Sequence, residues 1–158
     1  MRLGFWIDRI TSFKTLGGLI DQALRSDNVF LYYDDRATTN LGAKSYLNPD
    51  PNKTPTFYNG SPQTVTVNNP DQLVRQAKAD CLNVLVLHQG YHLCENDAEM
   101  MKAISQGFAN TGIRVISLGS HFYDQLADPI TALDLFETTC STSPHSRELH
   151  LQVLREDL

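Results

Sequence analysis

The sequence predicts an α/β fold in which a mostly parallel sheet of about six strands is covered by helices. Three observations carry this. Short runs of apolar residues, too short for helices, recur along the chain. Between most of them lie segments with apolar residues at helical spacing, opened by capping residues. The 158 residues are 41% apolar, which suits one domain with its own core.

Leu3-Gly4-Phe5-Trp6-Ile7 is apolar at every position and ends at Asp8, as expected for a strand buried on both faces. Phe13, Leu16, Ile20, Ala23 and Leu24 then follow a helical period, with Ser12 as the expected N-cap. Val29 to Tyr33 is a second apolar run, ending in Asp34-Asp35, so the chain opens as a βαβ unit. From Arg36 to about Gln63 periodicity is lost among Pro49, Pro51, Pro55 and Pro62, and a poorly packed excursion is expected. Thr64 to Val67 is a short β-branched run. Asn69-Pro70-Asp71-Gln72 next supplies a cap, a first-turn proline and a glutamine at the third helical position. The helix so opened carries Leu73, Val74 and Ala77 and leads to Asn83 to Leu87, the clearest strand, which is expected to stop at His88-Gln89-Gly90.

A second capping box, Asn96 to Glu99, opens a helix with Met100, Met101, Ile104 and Phe108 inward and Gly112 as its stop. Ile113 to Leu118 is the next strand, Asp128-Pro129 opens a short helix to Leu135, Thr138 to Ser141 is a weaker strand, and Ser143-Pro144 opens a last helix. Strands alternating with helices pair in parallel through right-handed crossovers, which gives a three-layer, Rossmann-like sandwich. If the strand order is 3-2-1-4-5-6, the ligand crevice lies beyond the carboxyl ends of the first and fourth strands, flanked by Asp8 and His88.

Composition narrows the ligand. A formal net charge of -5 with no cluster of Lys and Arg gives no footprint for nucleic acid. No apolar run approaches the roughly 20 residues of a membrane span. Met1-Arg2 leads straight into a strand without a signal-peptide pattern, so a cytoplasmic location is expected. Cys81, Cys94 and Cys140 lack C-x-x-C spacing and read as reduced thiols. The turn from Asp8 to Lys14 contains no glycine and no Walker pattern, which disfavours nicotinamide, flavin and P-loop nucleotides, and no cofactor is expected.

The candidate site residues follow from the expected crevice. Asp8 at a strand end suits proton acceptance from a hydroxyl, or capping of the next helix. His88 at the tip of the central strand suits a base near neutral pH, so Asp8 and His88 are the catalytic candidates. Lys14, Gln89, Tyr91, His92 and His121 complete the candidate set, with donors, acceptors and aromatic faces for substrate hydroxyls. His88 and His92 are four apart but lie in a loop, where that spacing does not align two metal ligands, so no metal is expected. Asp34-Asp35 would suit a phosphoacceptor receiver domain only if they followed the first strand instead of the second.

The opening Met1 to Asp8 with Phe13 to Arg25, and the closing Leu135 to Glu148 with its strand, serine and glutamate-bearing helix, resemble the amino-terminal domain of GT-B-type glycosyltransferases. The resemblance covers essentially the whole chain. It implies a sugar or glycan acceptor in this domain and, as partner, a carboxy-terminal domain holding the nucleotide-sugar. It also implies that the chain alone is inactive, because it stops in the helix where such enzymes continue. Two other readings compete: a non-catalytic Rossmann-like binding module, and a flavodoxin-like amidotransferase or ThuA-like domain with His88 and His121 on strand ends. The latter should show a nucleophile elbow, and Cys94 lacks the flanking glycines.

Overall fold

The structure is a computed structural model that describes residues 1–10, 12–35, 49–89, 103–119 and 138–140. The elements are β1 (Arg2–Ile7), α1 (Ser12–Ala23), β2 (Asn28–Asp34), a 3-10 turn (Pro51–Lys53), β3 (Gln63–Val67), α2 (Pro70–Ala79), β4 (Val84–Gln89), β5 (Arg114–Gly119) and β6 (Thr138–Cys140). Residues 103–108 are helical as well. The strands form one sheet in the order β3-β2-β1-β4-β5-β6, and every neighbouring pair is parallel. The fold class is therefore α/β with a doubly wound parallel sheet, and the two most uniformly apolar runs are adjacent central strands, Leu3 opposite Val84 and Phe5 opposite Val86.

Strand side chains alternate between faces, and here both faces are buried. Phe5, Ile7, Val29, Leu31, Tyr33 and Val86 pack with Leu16 and Ile20 of α1. Trp6, Phe30, Tyr32, Leu85 and Leu87 pack with Leu73, Val74 and Ala77 of α2 and with Ile104 and Phe108. Helices on opposite faces of one sheet explain why β1 and β2 read as continuous apolar runs rather than alternating ones.

The local signals for α2 hold in detail. Asn69 Oδ1 accepts from the Gln72 amide at 2.8 Å, and Gln72 Oε1 in turn accepts from the Asn68 amide at 2.8 Å, one residue before the cap. At the other end Leu82 N–H bonds to the Ala77 carbonyl at 3.0 Å and Cys81 N–H to the Lys78 carbonyl at 3.0 Å. That is a Schellman closure, with Leu82 and Ala77 joined in the same core cluster. It forces Cys81 to φ 52°, a left-handed conformation that glycine adopts without steric cost. Because Cys81 is exposed and contributes little packing, Cys81→Gly should stabilise the domain by about 1 kcal/mol, relief of the left-handed strain exceeding glycine's entropy in the unfolded chain. A urea midpoint that falls on this substitution would contradict the assignment.

Several expectations are corrected. Ser12 does not precede α1 as its cap. It is the first helical residue, buried, with its amide on the Arg9 carbonyl at 3.0 Å. β4 does not stop at Leu87 but runs through His88 and Gln89, which pair with Leu118 and Gly119 of β5. The helix at 103–108 is closed by Asn110 at φ 62° as well as by Gly112 at φ 78°. The described part of the excursion, residues 49–63, contains no buried residue and leaves Tyr58 exposed, yet it is anchored to the rest of the domain at three points. Phe57 packs against the α1-side core and lies 6.3 Å from the Phe13 ring. Asn59 is tied to Asp21 of α1 by three hydrogen bonds of 2.8–3.0 Å, and Thr54 is bonded to the Tyr33 hydroxyl. Residues 36–48 and the helices expected from Asp128 and Ser143 lie outside the described residues. No helix among the described residues is long and apolar enough to cross a membrane.

Candidate functional site

Strand order reverses between β1 and β4, because the chain winds outward from β1 through β2 to β3 and then returns to β4 on the other side. Loops leaving two such strands turn in opposite directions and leave a crevice between them at the carboxyl edge. Asp8 follows β1 directly, and His88 and Gln89 close β4 beside it.

The β1–α1 turn is built on side chains. Asp8 Oδ1 accepts from Ser12 Oγ at 2.8 Å, and Asp8 Oδ2 accepts from Arg9 Nε at 3.3 Å. The Asp8 side chain is 11% exposed and that of Arg9 9%. A guanidinium this far from water requires charge compensation, and Asp8 supplies part of it. On the neighbouring strand Asp34 is buried at the end of β2, with Asp35 exposed directly after it. Among the described residues, the carboxyl edge of β1 and β2 carries Asp8, Asp34 and Asp35 together with the Arg9 guanidinium. Both oxygens of Asp8 are engaged by α1 and by its own turn, which makes it a fixed hydrogen-bond acceptor that also holds the start of the helix.

The structure brings some of the candidates together and separates others. Asp8 and the backbone of His88 and Gln89 stand at one end of adjacent strands. Successive positions of a strand belong to opposite faces. Position 88 therefore shares the α1 face with Val84 and Val86, and position 89 the α2 face with Leu85 and Leu87. The expectation that both belong to one loop is replaced by two neighbouring positions on opposite sides of the sheet. Lys14 is exposed and lies two residues beyond Ser12 in α1. At 3.6 residues per turn that is a rotation of about 200°, which sets it on the side of the helix away from Ser12 and Asp8. Tyr91, His92 and His121 lie outside the described residues. Among the described residues no group of three or more His, Cys, Asp or Glu side chains could hold a metal ion.

Arg9, Ser12 and Asp34 were not singled out for the site by sequence reasoning. Two signals could have found the first two: an arginine immediately after a strand-end aspartate, and the four-residue interval from Asp8 to Ser12, which is the reach of one helical turn.

At the opposite, amino edge of the sheet a second polar group is structural. The buried Tyr32 hydroxyl donates to Asp80 Oδ2 at 2.7 Å, Gln76 Nε2 donates to the same carboxylate at 3.1 and 3.2 Å, and Arg2 Nε donates to the Asp80 carbonyl. This ties β1 and β2 to the end of α2. Burial and the neighbouring Asp80 carboxylate push the Tyr32 phenol far above its usual range, and burial pushes Tyr33 in the same direction.

No protein-family model matches the chain, and no curated protein matches it in sequence.

Proposed function

We propose that the chain is the acceptor-side domain of a two-domain, GT-B-type glycosyltransferase, and that the acceptor occupies the crevice between β1 and β4. The observation that carries this is the first turn. In a doubly wound sheet of this order the start of α1 is the position at which a dinucleotide's pyrophosphate rests on backbone amides. Here that position has no glycine, and an intrinsic carboxylate, Asp8, is bonded to the first residue of the helix. A crevice furnished in this way favours a ligand recognised through hydroxyl groups. Asp8 then positions the acceptor as well as α1, and His88 is the base that takes the hydroxyl proton, in reach of neutral pH.

The reading places donor recognition in a second, carboxy-terminal domain. Transfer requires donor and acceptor to be held together, an orientation effect that one half does not supply. The isolated chain should therefore give no heat with a panel of nucleotide-sugars in titration calorimetry and should turn none of them over. Micromolar binding or turnover by this chain alone would sink the proposal. His88→Ala and His121→Ala should leave the melting temperature nearly unchanged while abolishing acceptor binding. A large loss of stability in both would mark them as core residues and remove them from the site.

A further inference from the structure

We propose that Asn59-Gly60 is a deamidation site whose conversion unfastens residues 54–62 from α1, an irreversible release that the intact fold holds back. The inference does not depend on the acceptor reading.

The dipeptide is the one Asn-Gly pair in the chain, and the fold uses both members. Phe57 and Gly60 bridge in antiparallel fashion, so Tyr58 and Asn59 form the tip of a tight turn, with Tyr58 exposed. Gly60 has φ 144°, a backbone conformation that residues with a side chain rarely adopt. Asn59 fastens this turn to α1. Its amide N–H donates to Asp21 Oδ1 at 2.9 Å, and its Nδ2 donates to Asp21 Oδ2 at 2.8 Å and to the Asp21 carbonyl at 3.0 Å.

Deamidation begins when the Gly60 nitrogen attacks Asn59 Cγ. The bond from Gly60 N to Cγ forms, the bond from Cγ to Nδ2 breaks, and Nδ2 departs as ammonia with the proton that the Gly60 nitrogen gives up. Water then opens the five-membered imide at either carbonyl and leaves aspartate or isoaspartate. Glycine favours the attack because it has no Cβ to crowd its nitrogen. Here the departing nitrogen is the one held by two Asp21 oxygens. Folding the side chain back onto Gly60 gives up these bonds, so the clasp slows the reaction. Afterwards the clasp does not re-form. A carboxylate oxygen stands where Nδ2 stood, so a donor between two acceptors becomes a third acceptor, with a charge like that of Asp21. The segment released is the one that seats Phe57 beside Phe13 and Thr54 on the Tyr33 hydroxyl.

The test ages the chain in mildly alkaline buffer and maps peptides for aspartate and isoaspartate at position 59. Asn59 in the folded wild type should convert roughly tenfold or more slowly than in the same chain unfolded in urea, as the loss of two hydrogen bonds implies. Equal rates in the folded and unfolded chain overturn the protection, whether or not any variant folds. Asp21→Ala keeps only the carbonyl acceptor and should convert faster than the wild type under folding conditions. Equal rates in folded D21A and wild type overturn the assignment to Asp21. The deamidated chain, separated from the unreacted one, should unfold at lower urea and show shifted amides at Phe13, Asp21, Thr54 and Phe57. A fully converted chain that keeps the wild-type midpoint and these amide positions overturns the release.

Discussion

Replacing Gly4 with valine should cost the fold about 3 kcal/mol, read as a lowered urea midpoint, because the space a side chain would need is already filled. A Cβ at position 4 would stand 2.6 Å from Leu82 Cδ1, 2.8 Å from Tyr32 Cε2 and 3.2 Å from Leu85 Cδ1. The Tyr32 ring lies against this gap, and its hydroxyl reaches Asp80 at the end of α2. Gly4 is thus what lets β1 and β2 be tied to α2 through a buried hydrogen bond. Moving the ring aside would leave Asp80 with fewer partners, adding roughly 1–2 kcal/mol to the steric cost. Gly17 is the contrast, since a Cβ there meets nothing within 4 Å on the outer part of α1. Gly17→Ala should stabilise by about 0.5–1 kcal/mol through helix propensity. A Gly4 variant as stable as wild type would show that the Tyr32 ring is free to move and that the network is not a constraint on the sheet.

The second large effect is alkaline. Tyr32 and Tyr33 are both buried, and desolvation raises both phenols above their ordinary value near 10, the Asp80 carboxylate adding to it for Tyr32. In the unfolded chain these groups ionise near pH 10, while in the folded chain they stay neutral to higher pH. Their contribution is therefore complete below pH 10 and is lost as pH rises beyond it, since the unfolded state then binds fewer protons than the folded one. Tyr32, whose phenol stays neutral well past this range, should lower stability by about 1.4 kcal/mol per pH unit above pH 10, and Tyr33 adds to the loss in the same direction. Unfolding free energies from pH 9 to 11.5 should show this fall, and Tyr32→Phe should remove the Tyr32 part of it. A flat profile through pH 11 would mean that these phenols ionise in the folded state as they do in the unfolded one.

Much of the sheet was legible because burial on both faces leaves a mark that one residue cannot blur. β1 is apolar from Leu3 to Ile7 and β4 from Val84 to Leu87, as strands covered by a helical layer on each face are. The Asn69-Pro70-Asp71-Gln72 cap was equally readable, since its hydrogen bonds connect residues three and four apart. What the sequence concealed depends on partners distant in the chain. Asn59 is held by Asp21 across 38 positions, a contact with no periodic signal, and so residues 50–62 read as loose. Cys81 takes a left-handed conformation at a helix end where glycine or asparagine is the usual sign. At the site, Asp8 beside the end of β4 followed from an assumed strand order that the structure has. The buried state of Arg9 did not, because a lone arginine after a strand reads as solvated until its carboxylate neighbours are known.

The most direct test of the acceptor-crevice account is to titrate the chain, with amide assignments, against a panel of neutral methyl glycosides and then against nucleotide-sugars. The account predicts that at least one neutral glycoside shifts amides at the end of β1, residues 7–9, together with those at the end of β4, residues 88–89, while nucleotide-sugars shift neither group. Nucleotide-sugar binding at these amides, or glycoside shifts confined to the amino edge around Tyr32 and Asp80, would contradict it.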